Sequence, residues 1–432
     1  MKTFNKTLIA VSVALASSQA MAAGFQLNSQ SATGIGRAFA GDAVIADNAS
    51  VLARNPAAMA LFDKSSLSLG LTYADVQVDV KDVNFAGGAV DLGSIDDAGS
   101  GKVIPNFYYI HPVNDKIALG FAAFSNFGTG TDTSSLSKNQ AAAPFDLLGE
   151  TEVTTVNFNT SISYRFNEMF SVGAGIDAVY GEGRLTRNAG STPLVDVDAD
   201  GWGFGGILGA TLELDQNNRL GISYRFSPTV TVTGDTTAMT TKDIPGLGMQ
   251  NVMLDFEDLD VPLADIFQVA GFHQLNAKFA VHYTAQFTKW GDFEQITANN
   301  ATATLAGGPA NGTQIATGVT QPLKSYQWKD SWLFSIGGTY NIDDNWTVRA
   351  GYMHDQGVVD QLSSLSIPDS DRNWYTAGMS YRLSQQSTLD LGIAFVKGQQ
   401  VDLIEYSAIA GPVNATTESS AMYYSMQYSY QF

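Results

Sequence analysis

Apolar and polar residues alternate with a period of two along much of the chain, which predicts β-strands with one apolar face. Residues 422–432 place Met, Tyr and Phe at every even position and mostly Ser or Gln between them. Residues 156–166, 279–288 and 388–395 repeat the pattern. Soluble sheets also alternate, but aromatic residues at both ends of a strand are typical of membrane barrels, where they form interfacial girdles. The pattern therefore predicts an outer-membrane barrel whose apolar face meets lipid.

The spacing of turn residues gives the number of strands. Short polar turns are predicted at 113–116, 167–169, 215–219, 275–278, 341–345 and 384–387. Long polar or Gly-rich connections are predicted near 81–102, 128–151, 188–201, 235–262, 291–326, 358–371 and 398–418. Seven long connections interleaved with six short turns separate fourteen strands. We therefore predict an all-β fold, a 14-stranded antiparallel transmembrane β-barrel over residues 65–432.

The first 22 residues have the pattern of a secretory signal peptide. Lys2 and Lys6 precede an apolar run over residues 8–16, and an A-x-A site ends at Ala22, so the mature chain is expected to begin at Ala23. No later segment has the roughly 18 uncharged apolar residues of a transmembrane helix. Export without such a helix leaves a periplasmic, a secreted or an outer-membrane protein, and the alternation favours the bacterial outer membrane.

Residues 23–64 do not fit the strand pattern. They are rich in Ala and Gly and contain a helix start, with Asn55 as N-cap, Pro56 at the first helical position and Ala57 after it. A barrel of fourteen strands would otherwise enclose a water-filled lumen. We predict that these residues form a mainly helical hatch that plugs the lumen. Their apolar content argues against the alternative, a disordered periplasmic extension.

Composition limits the chemistry. The chain has no Cys and its four His residues lie far apart, so we predict neither a metal site nor a cofactor. A net charge of −19 argues against nucleic-acid partners, and acidic loops facing ion-bridged lipopolysaccharide account for it. Neither a G-x-S-x-G motif nor a nearby Ser/His/Asp set is present, so we do not predict an enzyme.

An ordered set of motifs carries a resemblance to a known family. The motifs are Ala23-Gly-Phe-Gln-Leu-Asn28, Gly34-Ile-Gly-Arg-Ala-Phe39, Ala46-Asp-Asn-Ala49, Arg54-Asn-Pro-Ala57, Asp215-Gln-Asn-Asn-Arg219, Asp343-Asp-Asn-Trp-Thr347 and Ser366-Ile-Pro-Asp-Ser-Asp-Arg372. Over essentially the whole mature chain, the sequence resembles the FadL family of long-chain fatty acid outer-membrane transporters. The resemblance implies capture of substrate at the outer loops, transfer to an internal apolar pocket near the hatch, and passive lateral exit through a gap where the third strand is kinked.

The resemblance also implies substrate-binding residues. Arg187 and Lys324 fall where the family has its carboxylate-binding cations, and Phe25 is assigned to the same substrate site. Alternation over residues 172–180 directs odd-numbered side chains into the lumen, which includes Arg187 if no bulge intervenes. Lys324 is expected to precede its strand. Lys329 therefore competes for the head-group role, and a solvated loop lysine stays an alternative for Lys324.

The lateral opening is predicted at the end of the third strand, residues 116–127. Gly128 and Gly130 follow this strand and either permit a bend or begin the next loop. The resemblance favours the bend, with Asn126 and Gly128 at the opening and the hatch element Asn55-Pro-Ala57 packed near it.

Two substrate classes stay open within this architecture. The first is long-chain fatty acids and the second is uncharged hydrophobes such as aromatic hydrocarbons; the predicted cations favour the acid. The expected partners are the hydrophobic ligand, outer-membrane lipid and lipopolysaccharide, while contact of the outer loops with phage or host stays open. The connection at 188–201 is shorter than is common in the family, which leaves the capture site open.

Overall fold

The computed structural model describes residues 24–138, 143–359, 362 and 364–432. The predicted signal peptide lies outside the described residues. The described chain forms a closed antiparallel β-barrel of 14 strands with a few short helices near its N-terminus. No helix among the described residues is long and apolar enough to cross a membrane.

Twenty-two strand segments build the barrel wall and its outer extensions. In chain order they are β1 (Ser66–Phe85), β2 (Val90–Ile95), β3 (Lys102–Pro112), β4 (Ile117–Phe124), β5 (Gly128–Asp132), β6 (Gly149–Arg165), β7 (Phe170–Ala189), β8 (Thr192–Asp215), β9 (Asn218–Phe226), β10 (Thr229–Ile244), β11 (Gly248–Asp255), β12 (Asp258–Pro262), β13 (Ile266–Gln274), β14 (Phe279–Thr288), β15 (Gln295–Ala306), β16 (Gln314–Ser325), β17 (Ser331–Asn341), β18 (Trp346–Asp355), β19 (Arg372–Arg382), β20 (Ser387–Gly398), β21 (Val401–Ser407) and β22 (Gly411–Gln431). The helices are α1 (Ala32–Gly36) and the 3₁₀ turns η1 (Ala49–Ala53), η2 (Pro56–Leu61), η3 (Ser134–Ser137) and η4 (Trp290–Asp292).

These segments combine into fourteen wall strands, as the sequence predicts. Several wall strands are interrupted and contain two or three segments; wall strand 3, for example, consists of β4 and β5. Each wall strand pairs with the next in antiparallel register, and β22 pairs with β1 from Ser66 opposite Gln431 to Phe85 opposite Val413. This last pairing closes the barrel and leaves neither terminal wall strand as a free edge.

Most of the long connections are β-hairpins rather than irregular loops. The predicted connection at 188–201 is an example, because β7 and β8 continue through it and turn between Ala189 and Thr192. Val195 and Val197 alternate there with acidic residues, a pattern that supports paired strands. Pairing satisfies the backbone groups even outside the bilayer, so the strands extend past it.

The two faces of the wall divide as predicted. Even-numbered residues of β6 and β7, such as Ile162 and Ile176, are exposed on the outer face, and odd-numbered residues such as Asn157 and Asp177 are buried inside. His282 is also buried in the lumen, where its Nε2 lies 2.9 Å from Thr339 Oγ1. It is therefore a hydrogen-bonding residue of the inner wall.

The residues before β1 fill the lumen. All residues of α1 and η1 and the first four of η2 are buried. The predicted cap is present, since Asn55 Oδ1 accepts a hydrogen bond from Ala57 N at 3.0 Å and Pro56 begins η2, which is a 3₁₀ rather than an α-helix. Two wall glycines admit this element. A Cβ on Gly209 would lie 1.9 Å from Asn55 Oδ1, and one on Gly173 would lie 2.4 Å from Ala57 N.

An ion-pair network anchors the hatch, residues 24–64, on its other side. Arg37 pairs with Asp42 at 2.8 Å and with Asp47 at 2.7 Å, both within the hatch. Arg349 of β18 reaches the same Asp47 carboxylate at 3.4 Å. Asp47 therefore joins the hatch to the barrel wall through Arg349.

Candidate functional site

The barrel wall has a gap between wall strands 2 and 3. β4 ends at Phe124 and β5 begins at Gly128, so residues 125–127 leave the ladder. β3 pairs with β4 only between Phe107, opposite Ala123, and Pro112, opposite Ala118. Within the described chain, β5 pairs with β6 and with no other strand. The upper part of β3 therefore has no partner on its wall strand 3 side. Gly128 lies within a strand, so the alternative that it begins an irregular loop is wrong.

The first residues of the hatch occupy this interruption. Leu27 N donates to Asn126 O at 2.6 Å, and Gly128 N donates to Phe25 O at 2.8 Å. The Gln30 side chain adds a bond of 3.2 Å to Asn126 Oδ1. Because backbone bonds join the two segments like neighbouring strands, movement of the hatch N-terminus would change the surroundings of the gap directly.

Phe25 lies in an aromatic cage. Its ring contacts those of Phe127, Trp290, Phe293 and Trp328 at centroid distances of 5.8, 4.8, 5.2 and 5.8 Å. Trp290 and Phe293 come from the interruption between β14 and β15, and Trp328 from the one between β16 and β17. These interruptions turn aromatic residues inward, where aromatic strand residues would otherwise face lipid. The cage holds the hatch N-terminus by packing as well as by hydrogen bonds.

Arg187 is buried near the outer end of β7 and faces the lumen, as its odd position predicts. Its Nη1 donates to the carbonyl oxygens of Glu150 and Thr186 at 2.8 and 2.7 Å. Its Nη2 donates to Thr151 Oγ1 at 2.8 Å and to Ser366 Oγ at 2.7 Å. These acceptors are all uncharged, and no carboxylate of the described chain lies within ion-pair distance. The guanidinium is thus hydrogen bonded but forms no direct ion pair, and the carboxylates of Glu405, Asp146 and Asp132 act on it only from a greater distance.

Lys324 lies within β16, so the expectation that it precedes its strand is wrong. Its Nζ forms an ion pair with Glu405 of β21. The other Glu405 oxygen accepts a bond from Leu365 N at 2.6 Å, next to the Ser366 that bonds Arg187. Lys324 and Arg187 therefore belong to one network, but the charge of Lys324 is already matched. Lys329, the competing residue, has an exposed side chain.

An apolar cavity adjoins this network. It is partly open and is lined mainly by aliphatic side chains, including Val197, Val230 and Leu259. Thr151, which bonds Arg187, and Tyr326 also line it. An apolar chain in this cavity could therefore place a polar end near Arg187.

A second, smaller cavity lies beside residues 125–127. Thr155 and Leu263 line both cavities. Asn126 and Phe127, the residues of the interruption, line the smaller one. The two cavities are thus neighbours. The hatch element Asn55-Pro-Ala57 packs on β7 and β8. Farther along η2, the side chain of Met59 packs against Gly120 of β4.

Several residues of the network escaped sequence reasoning. Ser366 lies in one of the family motifs, and neither its sequence context nor that of Glu405 predicts a contact with a cation. Both become neighbours of the predicted cations only after the barrel has closed. Asp369 and Arg372 form a further buried ion pair close to Ser366 in the chain. Asp369 Oδ2 also accepts a hydrogen bond of 2.6 Å from Val358 N. Nothing local in the sequence marks Ser366 or Glu405 as a partner of the two cations, because each lies far along the chain from the residue that it contacts.

The chain is an outer-membrane channel protein, a barrel of fourteen strands closed by an N-terminal hatch. Residues 13–432 match the sequence profile of the family described as "Outer membrane protein transport protein (OMPP1/FadL/TodX)", and the chain belongs to this family. It is located in the bacterial outer membrane. The resemblance stated from the motifs is confirmed.

Individual relatives span nearly the full length. The chain is 30% identical over 468 residues to the long-chain fatty acid transport protein of Escherichia coli strain K12, covering 99% of each. A crystal structure of a Pseudomonas aeruginosa FadL homologue is similar with a TM-score of 0.75 and 21% identity, covering 95% of this chain and 100% of that one. The Pseudomonas putida toluene transporter TodX is similar with a TM-score of 0.67 and 19% identity, with the same coverage. These two structures support the fold.

Proposed function

We propose that this protein is a passive outer-membrane transporter, not an enzyme, and that it takes up long-chain fatty acids and similar hydrophobic molecules. The observation that carries the proposal is the buried Arg187 guanidinium, which forms no direct ion pair with a described residue and adjoins an apolar cavity. Burial of an unpaired charge is costly, and a ligand carboxylate would offset that cost. The relative named as a long-chain fatty acid transport protein supports the same substrate class.

In this proposal Arg187 binds the head group and Lys324 supports the site. The ion pair with Glu405 reduces the attraction of Lys324 for a second carboxylate. Glu405 in turn bonds the backbone of the segment that carries Ser366. Lys324 therefore positions the segment that faces Arg187. The tail would lie in the apolar cavity, and Phe25 would close the lower side of the site.

The route has three stages. Substrate enters from the outer end of the barrel, binds in the apolar cavity, and leaves through the gap beside Asn126 and Gly128 into the membrane. Exit requires the hatch N-terminus to release its backbone bonds to these two residues. The concentration difference of the substrate drives this transport, without an energy source. The transported substrate enters the membrane lipid around the gap, and lipopolysaccharide surrounds the outer part of the barrel.

Uncharged hydrophobes are a second candidate class. The cavity wall is largely aliphatic and would accept a hydrocarbon without a head group. A relative with the same fold is titled a toluene transporter. The two classes differ in one property, since only the acid gains from Arg187.

Two measurements test the proposal. Mass spectrometry of ligands extracted from protein purified out of membranes should detect long-chain acids, and purified protein in liposomes should accelerate their uptake. Recovery of no amphiphile together with uptake no faster than in empty liposomes would refute the function.

The lateral route has its own test. Replacement of Gly128 by Val should disturb the hatch contact at the gap and slow fatty acid uptake, while binding in detergent persists. Gly130→Val, two residues along the same strand, is the matched control and should have the smaller effect. Uptake by Gly128→Val at the wild-type rate would count against the gap as the exit.

A further inference from the structure

The small cavity beside the gap contains polar groups without partners. Asn157 is 1% exposed, and neither its Nδ2 nor its Oδ1 has a hydrogen-bond partner among the described residues. The same is true of Ser227 Oγ. Both residues line this cavity. Buried polar side chains are hydrogen bonded in most native structures, so such a group indicates a missing partner.

The charged groups of this cavity already have partners. Arg225 and Asp177 form a buried ion pair across it. Arg225 also donates to Ala53 O at 2.8 Å, and Asp177 accepts from Asn159 Nδ2 at 2.7 Å. The pair adds no net charge to the cavity. A ligand there would therefore meet the amide of Asn157 and the hydroxyl of Ser227.

The position of Asn157 relates this cavity to the gap. Its register partner on wall strand 3 is Phe124, the last residue of β4 before the interruption. Asn126 and Phe127 of the interruption also line the cavity, while Thr155 and Leu263 connect it with the larger apolar cavity. A molecule passing from the apolar cavity to the gap would pass this amide.

We propose that Asn157 and Ser227 form a second head-group site, which binds the carboxyl or hydroxyl end of a single-chain amphiphile as it moves from Arg187 toward the gap. The amide offers a donor and an acceptor, and the hydroxyl offers either, so the pair can bind a carboxylate, a carboxylic acid or an alcohol. A hydrocarbon gains nothing from these groups. The site therefore makes passage through the gap selective for molecules with a hydrogen-bonding head group. This inference rests on the proposed uptake of amphiphiles.

The test compares passage with binding. Asn157→Leu preserves side-chain size and removes the amide. In liposomes containing the purified protein it should slow uptake of a long-chain fatty acid about tenfold, as expected from the loss of one hydrogen bond to a charged or polar head group. Uptake of an alkane of equal length should change less than twofold. Equilibrium binding of the acid in detergent should also change less than twofold, because Arg187 is untouched.

Two further variants separate chemistry from packing. Ser227→Ala removes only an oxygen atom and should slow acid uptake in the same direction by a smaller factor, which keeps the test usable if Asn157→Leu folds poorly. Val179→Leu changes the shape of the same cavity without changing its polar groups. It should alter uptake of acid and alkane equally.

The outcomes are distinguishable. Equal slowing of acid and alkane in Asn157→Leu, or acid uptake at the wild-type rate in both polar variants, would overturn the second site and mean that buried water satisfies these groups. The uptake function would still stand on the wild-type result. If wild-type protein takes up neither ligand, the proposed function fails, and the second site fails with it.

Discussion

Replacement of Arg187 by Ala tests the head-group site directly. The side chain is buried, its four Nη hydrogen bonds end on uncharged oxygens, and it forms no direct ion pair within the described chain. A charge-assisted hydrogen bond to a ligand carboxylate contributes about 1.5–3 kcal/mol. The substitution should therefore weaken fatty acid binding roughly 10- to 150-fold.

The tail should still bind. Each methylene that leaves water contributes about 0.8 kcal/mol, and the aliphatic lining of the cavity gives the tail an apolar environment. Binding of the variant should be weak but measurable. Binding of an alkane of equal length should be nearly unchanged, because no bond to the guanidinium is lost.

Isothermal titration calorimetry in detergent, with both ligands against both proteins, provides the measurement. Arg187→Lys is the matched control, since it retains the positive charge but lacks the planar guanidinium. It should show an intermediate loss of fatty acid affinity. Equal losses for acid and alkane in Arg187→Ala would refute the reasoning. Arg187 would then shape the cavity rather than bind the carboxylate.

Three other perturbations address the hatch. Deletion of residues 23–62 should raise ion conductance in planar bilayers, because these residues fill the lumen; unchanged conductance would contradict the plug. Phe25→Ala should cost about 3–5 kcal/mol of local packing and accelerate amide hydrogen exchange in the first residues of the hatch, whereas the lipid-facing Phe204→Ala should not. Burial alone would raise the pKa of Asp47, but Arg37 above all lowers it from 3.8 to about 2. Because the folded-state pKa is lowered, ionised Asp47 stabilises the hatch fully above about pH 4. This stabilisation is lost as the pH falls through about 2. Hydrogen exchange across this range should show the hatch loosening in acid, and Asp47→Asn should remove that pH dependence and cost about 2 kcal/mol at neutral pH.

The strand count could be predicted because each wall strand separates lipid from a polar lumen. A shift by one residue would exchange the two faces, so alternation fixes both the strands and their orientation. The inward direction of Arg187 follows from the same rule. Asn55 could be identified because a helix cap is a local feature.

Contacts between distant segments could not be predicted in this way. Lys324 is paired with Glu405, 81 residues away, and Arg187 with Ser366, 179 residues away. The inward turn of Trp290 depends on interruptions that fall side by side only in the closed barrel. Alternation also could not show that β7 and β8 continue beyond the bilayer, since short runs of alternating residues occur in loops as well.

The outer hairpins have a consequence for how this protein tolerates change. Their tips carry glycines with positive φ, among them Gly87, Gly190, Gly246 and Gly411. A side chain added at any of these four would meet no described atom within 4 Å. Backbone strain therefore limits single substitutions there more than crowding does, and inserted peptides could leave the paired strands below them intact. The tips are suited to carry epitope tags or foreign sequences on the cell surface without a change in the channel.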